Sequence, residues 1–239
     1  MRGTSGDIGK PECRKDQQDI PQDRPRGCKE KREIFLTYQK AVRDCTRYRN
    51  RIWAWLAESG SKIKPGIQLT KESGKQWILQ RYEWTPEQEA IICFMVDELI
   101  TAQRKRQELK RIMAREISRD PQMLKLFKLY GIRTVVAYAL IAIIGDITRF
   151  QNPKKLVAYF GLQPKVNYSG KKGYTSSLTH YGRKDIRALL VQAAHSILNY
   201  APQDHPLYKW GWKLALKKSK SVAVIALARK ITVAVWGPN

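Results

Sequence analysis

Residues 132–145, IRTVVAYALIAIIG, form the most hydrophobic run of the chain. The run is shorter than the roughly 20 residues that a helix needs to cross a bilayer, and it contains Arg133. The sequence therefore predicts a buried helix inside a folded core and no membrane partner. Gly131 directly precedes the run and separates it from a second apolar segment, KLFKLY, at 125–130.

Two interpretations of Gly131 remain open from the pattern. A glycine between two apolar helices is the arrangement of a helix-hairpin-helix, whose tight turn exposes backbone N–H groups that can hold a DNA phosphate. Gly131 and Arg133 are then candidates for nucleic-acid binding. The alternative is a glycine that only ends a helix in a plain helical domain.

The charge of the chain indicates the class of partner. The 239 residues include 45 lysines and arginines against 21 aspartates and glutamates, a net charge of +24 that attracts polyanions. Hydrophobic residues make up 43% of the chain, which excludes a disordered basic tail. A folded nucleic-acid-binding protein is favoured over a membrane-surface protein, because the apolar helices have the pattern of core helices.

The pattern predicts a mainly α fold. Apolar residues recur every three or four positions over 30–58 and again from Pro86 to about Ser118, which predicts two long helices. Thr85, followed by Pro86 and Gln88, predicts a capping box at the start of the second helix. The two-per-heptad apolar seam is typical of a coiled-coil-like helical hairpin, or of a coiled-coil arm that joins two copies into a homo-oligomer.

The second half predicts a compact domain of shorter helices. Asn152 and Pro153 begin a helix that ends at Gly161, an amphipathic helix begins near Ile186, and residues 222–236 form a final buried helix. A strand is predicted only at 165–174. The four cysteines have no Cys-x-x-Cys spacing, which is typical of reduced thiols in a cytosolic protein.

Residues 168–187, YSGKKGYTSSLTHYGRKDIR, combine glycines, hydroxyl side chains and cations. The cations in and beside this stretch could bind phosphates and stabilise charge that develops during attack on phosphorus: Lys165, Lys171, Lys172, Arg183, Lys184 and Arg187. A serine is a weak nucleophile without a base or an electropositive site, so the local pattern favours a phosphate-binding loop over a nucleophile.

Two carboxylates near the N-terminus, Asp16 and Asp19, lie three residues apart in KDQQD. On a helix this spacing directs both to one side, where they could bind a divalent metal ion. Metal sites for phosphodiester cleavage normally gather three or four carboxylates, so the pair alone is weak evidence.

The order and spacing of four blocks in 126–236 resemble the transposases of insertion-sequence family 110, a group also labelled 116 and 902. The blocks are GIRTVVAYALIAIIGDITRF, NPKKLVAYFGLQP, YSG…LTHYGRKDIRALLVQAAH and VAVIALARKITVAVW. The KDQQD stretch resembles the end of a Lys-x-Asp-x-x-Asp block of that family. The long helices match the family's connecting coiled coil more loosely.

The resemblance implies a DNA transposase of the bacterial cytoplasm and nucleoid. Such enzymes join an RNase H-like domain, with a four-acid Mg²⁺ site, to a C-terminal domain with a reactive serine, and an element-encoded guide RNA directs them to DNA. By motif position, Ser169 is the expected nucleophile, and Asp16 and Asp19 are the last two acids of the metal site. Thr179 matches a hydroxyl residue of a later block.

The chain also departs from the family pattern. The first Asp and the Glu of the metal site have no counterpart, and Ser176 and His180 replace a glycine and a lysine. We therefore expect a truncated copy that binds no Mg²⁺ by itself, with a disordered catalytic remnant at 1–29, a coiled-coil linker at 30–119 and a transposase domain with helix-hairpin-helix-like elements at 120–239. The alternative is a non-catalytic fragment that binds DNA or guide RNA.

Overall fold

The computed structural model describes residues 28–59, 69–81, 83–169, 172–178 and 181–237, and the described chain is mainly α-helical. Two compact units are present, a helical-hairpin unit (Lys29–Pro121) and a C-terminal unit (Gln122–Asn239). In chain order the elements are α1 (Cys28–Glu58), α2 (Glu72–Arg81), α3 (Pro86–Arg119), α4 (Pro121–Leu126), α5 (Thr134–Ile144), a 3-10 turn (Ile147–Arg149), α6 (Pro153–Tyr159), β1 (Pro164–Ser169), β2 (Lys172–Leu178), α7 (Lys184–Tyr200), α8 (Pro206–Lys217) and α9 (Lys220–Trp236).

In the helical-hairpin unit, α1 and α3 run antiparallel within one chain. Lys31 Nζ lies 3.4 Å from Asp120 Oδ2 at one end, and Cys45 Sγ lies 3.8 Å from Gln103 Oε1 farther along. Buried side chains of both helices form one core with α2 and with the turn that precedes α2: Cys45, Ile52, Leu56, Leu69, Ile78, Ile92, Met95, Val96, Leu99 and Ala102. The long helical hairpin predicted from the apolar seam is confirmed.

The start of α3 has the predicted capping box. Gln88 N donates to Thr85 Oγ1 at 3.3 Å, and Thr85 N donates to Gln88 Oε1 at 3.1 Å. Just before it, Trp84 Nε1 donates to Ile78 O at 3.2 Å, and the Trp84 ring stacks on Trp55 at a centroid distance of 5.1 Å. The chain between α2 and α3 is therefore held against α1.

The core of the C-terminal unit is built around α9, which packs against α6, α7 and α8, while α5 packs against α7. The inward residues of α9 are buried: Ala223, Val224, Leu227, Ala228, Ile231 and Thr232. The hydroxyl of Thr232 is satisfied by donation to Ala228 O at 2.9 Å. The final helix is largely buried, as its sequence predicts, and α5 is buried over most of its length.

The sequence patterns described above predict no helix at 206–217, where the structure has α8. His205 Nδ1 caps it by accepting from Leu207 N at 3.2 Å, and Pro206 occupies the first turn. Gly211 allows close packing, because a Cβ atom there would lie 2.6 Å from Leu227 Cδ1 of α9. A glycine in the helix interior lowers helix propensity, and its close packing against Leu227 of α9 and Leu198 of α7 explains its presence.

The only strands in the described residues are β1 and β2, which form an antiparallel hairpin across the segment predicted at 165–174. Val166 pairs with Thr175, and Ser169 pairs with Lys172 at the distal end. Among the described helices, none combines the length and apolarity needed to cross a membrane.

Candidate nucleic-acid interface

Ser169 is the last residue of β1, and its partner across the hairpin is Lys172, the first residue of β2. Directly opposed residues in an antiparallel pair have Cα atoms about 4.5–5.5 Å apart. The hairpin therefore brings the expected nucleophile and one predicted phosphate-binding lysine together at its tip. Lys165 lies in β1, near the base, while Lys171 and Thr179 are outside the described residues.

The base of the hairpin is fixed by two glycines with left-handed backbone conformations. Gly161 (φ 67°) ends α6 in a Schellman motif, in which Gly161 N donates to Ala158 O at 2.8 Å and Leu162 N donates to Val157 O at 3.0 Å. Gly182 (φ 92°) immediately precedes α7, and a Cβ atom on it would lie 2.5 Å from Gly161 N. The chain thus enters and leaves the hairpin through a contact that only glycines fit.

Arg187 reinforces this contact. Its Nη1 donates to Gly161 O at 3.0 Å, and the neighbouring Arg183 N donates to Tyr159 O at 3.0 Å. Both bonds join the end of α6 to the start of α7. Arg187, which the sequence predicts to bind nucleic acid, therefore also stabilises the packing of α6 against α7.

The guanidinium of Arg183 is engaged by a carboxylate. Its Nε and Nη2 donate to the two Asp185 oxygens at 3.0 and 2.6 Å, and both side chains are half-buried. Burial favours the neutral acid, but the hydrogen bonds and charge of Arg183, together with backbone N–H groups at the start of α7, outweigh it and hold the pKa of Asp185 below its ordinary value. The hydrogen bond to Asp185 likewise raises the pKa of Arg183. Much of the charge of Arg183 is balanced within this pair.

Lys184 lies between these two arginines and is exposed at the first position of α7. It belongs to a strongly basic unit, since residues 122–239 contain 19 lysines and arginines and three carboxylates. One of the three, Asp185, is paired with Arg183, and a second, Asp146, accepts from Thr148 N at 2.9 Å. The C-terminal unit therefore presents a positive surface to solvent.

Gly131 has a packing reason for being glycine. Its φ is 88°, and a Cβ atom would lie 2.8 Å from Ala193 O in the middle of α7. Nearby, Tyr130 Oη donates to Tyr200 O at 2.8 Å, which also holds the turn to α7. Arg133 is exposed at the N-cap of α5 and makes no side-chain capping bond. Phosphate binding at this turn stays a prediction.

The predicted residues thus form two groups. The first group belongs to the hairpin and its base and consists of Ser169, Lys172, Arg183, Lys184 and Arg187. The second is Gly131, which contacts α7 nine residues beyond Lys184, about 14 Å farther along the helix axis. Asp16 and Asp19 lie outside the described residues. Within the described ranges, no group of three or more His, Cys, Asp or Glu side chains could hold a metal ion.

A basic stripe on α8 is absent from the sites that the sequence predicts. Lys209, Lys213 and Lys217 recur every fourth residue on the exposed face, opposite the buried Gly211. Trp212 is 44% exposed beside them and stacks on Tyr208 at a centroid distance of 6.1 Å. The four-residue spacing of the lysines indicates one shared face only if the segment is a helix, and the sequence pattern does not predict a helix here.

The comparison with protein families concerns this same unit. Residues 124–209 match the family described as Transposase IS116/IS110/IS902. This region is therefore similar to the transposase domain of that family. The match begins in α4 and ends in α8, so the matched region includes the hairpin and the glycine contact at its base.

Two curated relatives extend the comparison. The transposase for insertion sequence element IS1328 of Yersinia enterocolitica is 24% identical over 204 residues, which is 82% of this chain and 58% of that protein. The transposase for insertion sequence element IS1111A of Coxiella burnetii is 29% identical over 108 residues, 44% of this chain and 29% of that protein. The chain thus spans less than two thirds of the length of either relative.

Proposed function

We propose that this chain acts in the transposition of an insertion sequence, that it binds DNA through the C-terminal unit, and that Ser169 is the nucleophile. The observation that carries the proposal is the hairpin, whose tip pairs Ser169 with Lys172 and whose base is fixed by Gly161 and Gly182. A fixed base favours catalysis, because a nucleophile must be held close to its productive position.

In the proposed reaction, the Ser169 hydroxyl oxygen attacks a DNA phosphorus and forms a phosphoserine bond. The bond from phosphorus to one deoxyribose oxygen breaks. The Ser169 hydroxyl loses its proton to solvent, and the leaving oxygen takes up a proton in turn. Lys172, opposite Ser169 in the strand register, stabilises the negative charge that develops on the phosphoryl oxygens. Reversal of the step with a second DNA end joins the new strands without external energy.

The family resemblance assigns Mg²⁺ to the complete enzyme, with Asp16 and Asp19 among its ligands, and an element-encoded RNA as guide. Both assignments stay predictions. Among the described residues, no group of three or more His, Cys, Asp or Glu side chains could hold a metal ion.

The nucleophile is tested by trapping the covalent intermediate. The chain, joined to an RNase H-like domain that carries the four-acid metal site of the complete enzyme, is incubated with end-labelled DNA from the junction of its own element, its guide RNA and Mg²⁺. Denatured complexes are then separated by size. We expect a labelled protein–DNA adduct that Ser169→Ala abolishes and that Ser176→Ala and Ser177→Ala retain. An adduct that persists in Ser169→Ala would reassign the nucleophile.

The alternative function is nucleic-acid binding without cleavage, and the density of cations in the C-terminal unit favours it independently. Binding to DNA or guide RNA with no adduct from the wild-type chain would support that alternative. In either case, affinity should fall steeply with salt, because each neutralised phosphate releases counterions. An affinity that does not change with salt would contradict both functions.

We also propose that the long helices associate with a second copy. On α3, Phe94 is 73% exposed and Ile91, one turn earlier, is 45% exposed. Neighbouring apolar side chains on a solvent-facing helix form a small apolar patch, of the kind that is buried when two helices pair.

A further inference from the structure

A groove in the C-terminal unit, lined by residues of α6, α8 and α9, has no role in the function proposed above. Its volume is about 690 Å³, which lies within the usual range of small-molecule sites. Gln163 borders it just before β1.

The interior of the groove is apolar. Val157 of α6, Leu207 of α8, and Ala226 and Val233 of α9 line it. Val233 remains 45% exposed, although the neighbouring positions Ile231 and Thr232 of the same helix are buried. When a planar apolar group covers an open apolar surface of this kind, both are removed from water and the complex is stabilised.

The rim of the groove is positively charged. Lys154, Arg229 and Lys230 line it and are exposed, and none of its described lining residues is acidic. Lys230 Nζ lies 4.3 Å from the ring centroid of Trp210, a cation–π contact that fixes the ammonium beside the indole. An anionic group and a flat apolar group can therefore bind to adjoining parts of the groove.

We propose that this groove binds one unpaired nucleotide of the nucleic acid, with its base on the apolar floor and its phosphate at the cationic rim. The inference rests on the proposed nucleic-acid binding and adds to it a site for an extrahelical base. Gln163 offers both a donor and an acceptor to a base edge. Base contacts with aromatic and apolar side chains tolerate many sequences, so the site recognises an unpaired nucleotide without reading its identity.

An unpaired nucleotide differs from other ligands because it offers both an anionic phosphate and a flat apolar base. A paired duplex keeps its bases stacked inside and offers only phosphates to the rim. An apolar peptide would cover the floor and leave three cations without anionic partners. An unpaired nucleotide satisfies both parts, at the cost of unstacking one base.

The test uses the full chain and three labelled duplexes of one sequence: fully paired, with a single unpaired adenosine, and with an abasic analogue in place of that adenosine. Equilibrium binding is measured by fluorescence anisotropy. We expect the unpaired adenosine to bind roughly tenfold more tightly than the abasic analogue. The same three probes are also made of RNA. The nucleic acid that shows the larger preference for the unpaired adenosine over the abasic analogue is the one that the groove binds.

Matched variants separate the groove from general charge. Ala226→Leu fills the floor and should remove the preference for the adenosine, whereas Ala188→Leu, at an exposed position of α7, should retain it. Arg229→Gln should reduce the preference more than Lys217→Gln, which removes the same charge outside the groove. Circular dichroism verifies the fold of each variant.

The possible failures are distinguishable. Tight, salt-sensitive binding with equal affinity for all three probes, in DNA and in RNA, would overturn the nucleotide site and leave the proposed function intact. Preference that survives both Ala226→Leu and Arg229→Gln would place the base elsewhere and also overturn it. Failure to bind any probe would overturn the proposed function together with the site.

Discussion

The backbone of Gly182 packs directly against Gly161, and a Cβ atom on Gly182 would lie 2.7 Å from the Cα atom of Gly161. This contact joins the end of α6 to the start of α7 at the base of the β-hairpin. The two residues are 21 positions apart, and the strands that carry Ser169 and Lys172 lie between them. Integrity of the hairpin should therefore depend on both glycines.

Gly182→Ala should lower the free energy of unfolding by about 2 kcal/mol or more, because the new Cβ meets the backbone of Gly161 and the φ of 92° strains an alanine. Urea denaturation measures the change. Gly237→Ala is the matched control, since its Cβ would have no neighbour closer than 3.4 Å. Equal effects of the two substitutions would show that the glycine contact is unimportant.

Lys184 and Arg187 should behave differently when DNA binding is measured against salt. Lys184→Gln removes an exposed charge, so the slope of log K against log salt should become shallower by about one with stability unchanged. Arg187→Met removes the bond to Gly161 O, so unfolding free energy should fall by about 1 kcal/mol. Identical changes in slope and stability for both variants would contradict this division.

The Arg183–Asp185 pair should make stability depend on pH. Because the folded-state pKa of Asp185 is lowered, the pair stabilises the fold above the unfolded pKa of about 4, and this contribution is lost as pH falls through the folded pKa. At pH 7, Asp185→Asn should cost about 1 kcal/mol, allowing for partial exposure, and the difference from wild type should shrink at acidic pH.

Thermal unfolding between neutral and acidic pH measures that difference. Asp204→Asn, in the exposed turn before α8, serves as control and should change the melting temperature little. A difference that grows on acidification would contradict the assigned sign.

The capping box at Thr85 should stabilise the helical-hairpin unit. Thr85→Ala removes the acceptor for Gln88 N and should lower the free energy of unfolding by about 1 kcal/mol. Thr101→Ala, at an exposed position in the middle of α3, should instead be neutral or slightly stabilising, because alanine has the higher helix propensity. Loss of stability in both variants to the same extent would assign the effect to threonine content and not to the cap.

Phe94→Asp should weaken association between copies. The substitution introduces a charge into the patch that Phe94 forms with Ile91, and sedimentation velocity should show a shift toward smaller species. Gln107→Asp introduces the same charge at another exposed position of α3 and should leave the distribution unchanged. A wild-type chain that is monomeric at all concentrations would refute the association.

Much of this architecture was predictable because local signals agreed with the tertiary fold. The capping box at Thr85, the Asn152 cap with Pro153, the end of α6 at Gly161 and the apolar face that begins at Ile186 are all written in short stretches of sequence. Helix α8 was not predictable with the same ease. Its interior glycine and scattered aromatics weaken the helical signal, and its packing on α9 supplies the missing stabilisation.

The sequence by itself determined the mainly α character, the similarity of residues 124–209 to a transposase family and the basic charge, because periodicity, motif order and composition are properties of the chain. Only the tertiary structure decided that Gly161 touches Gly182, that Arg183 is occupied by Asp185, and that Lys154 and Lys230 border one groove. Contacts between residues distant in sequence arise when helices pack, and no local pattern encodes which side chains then meet.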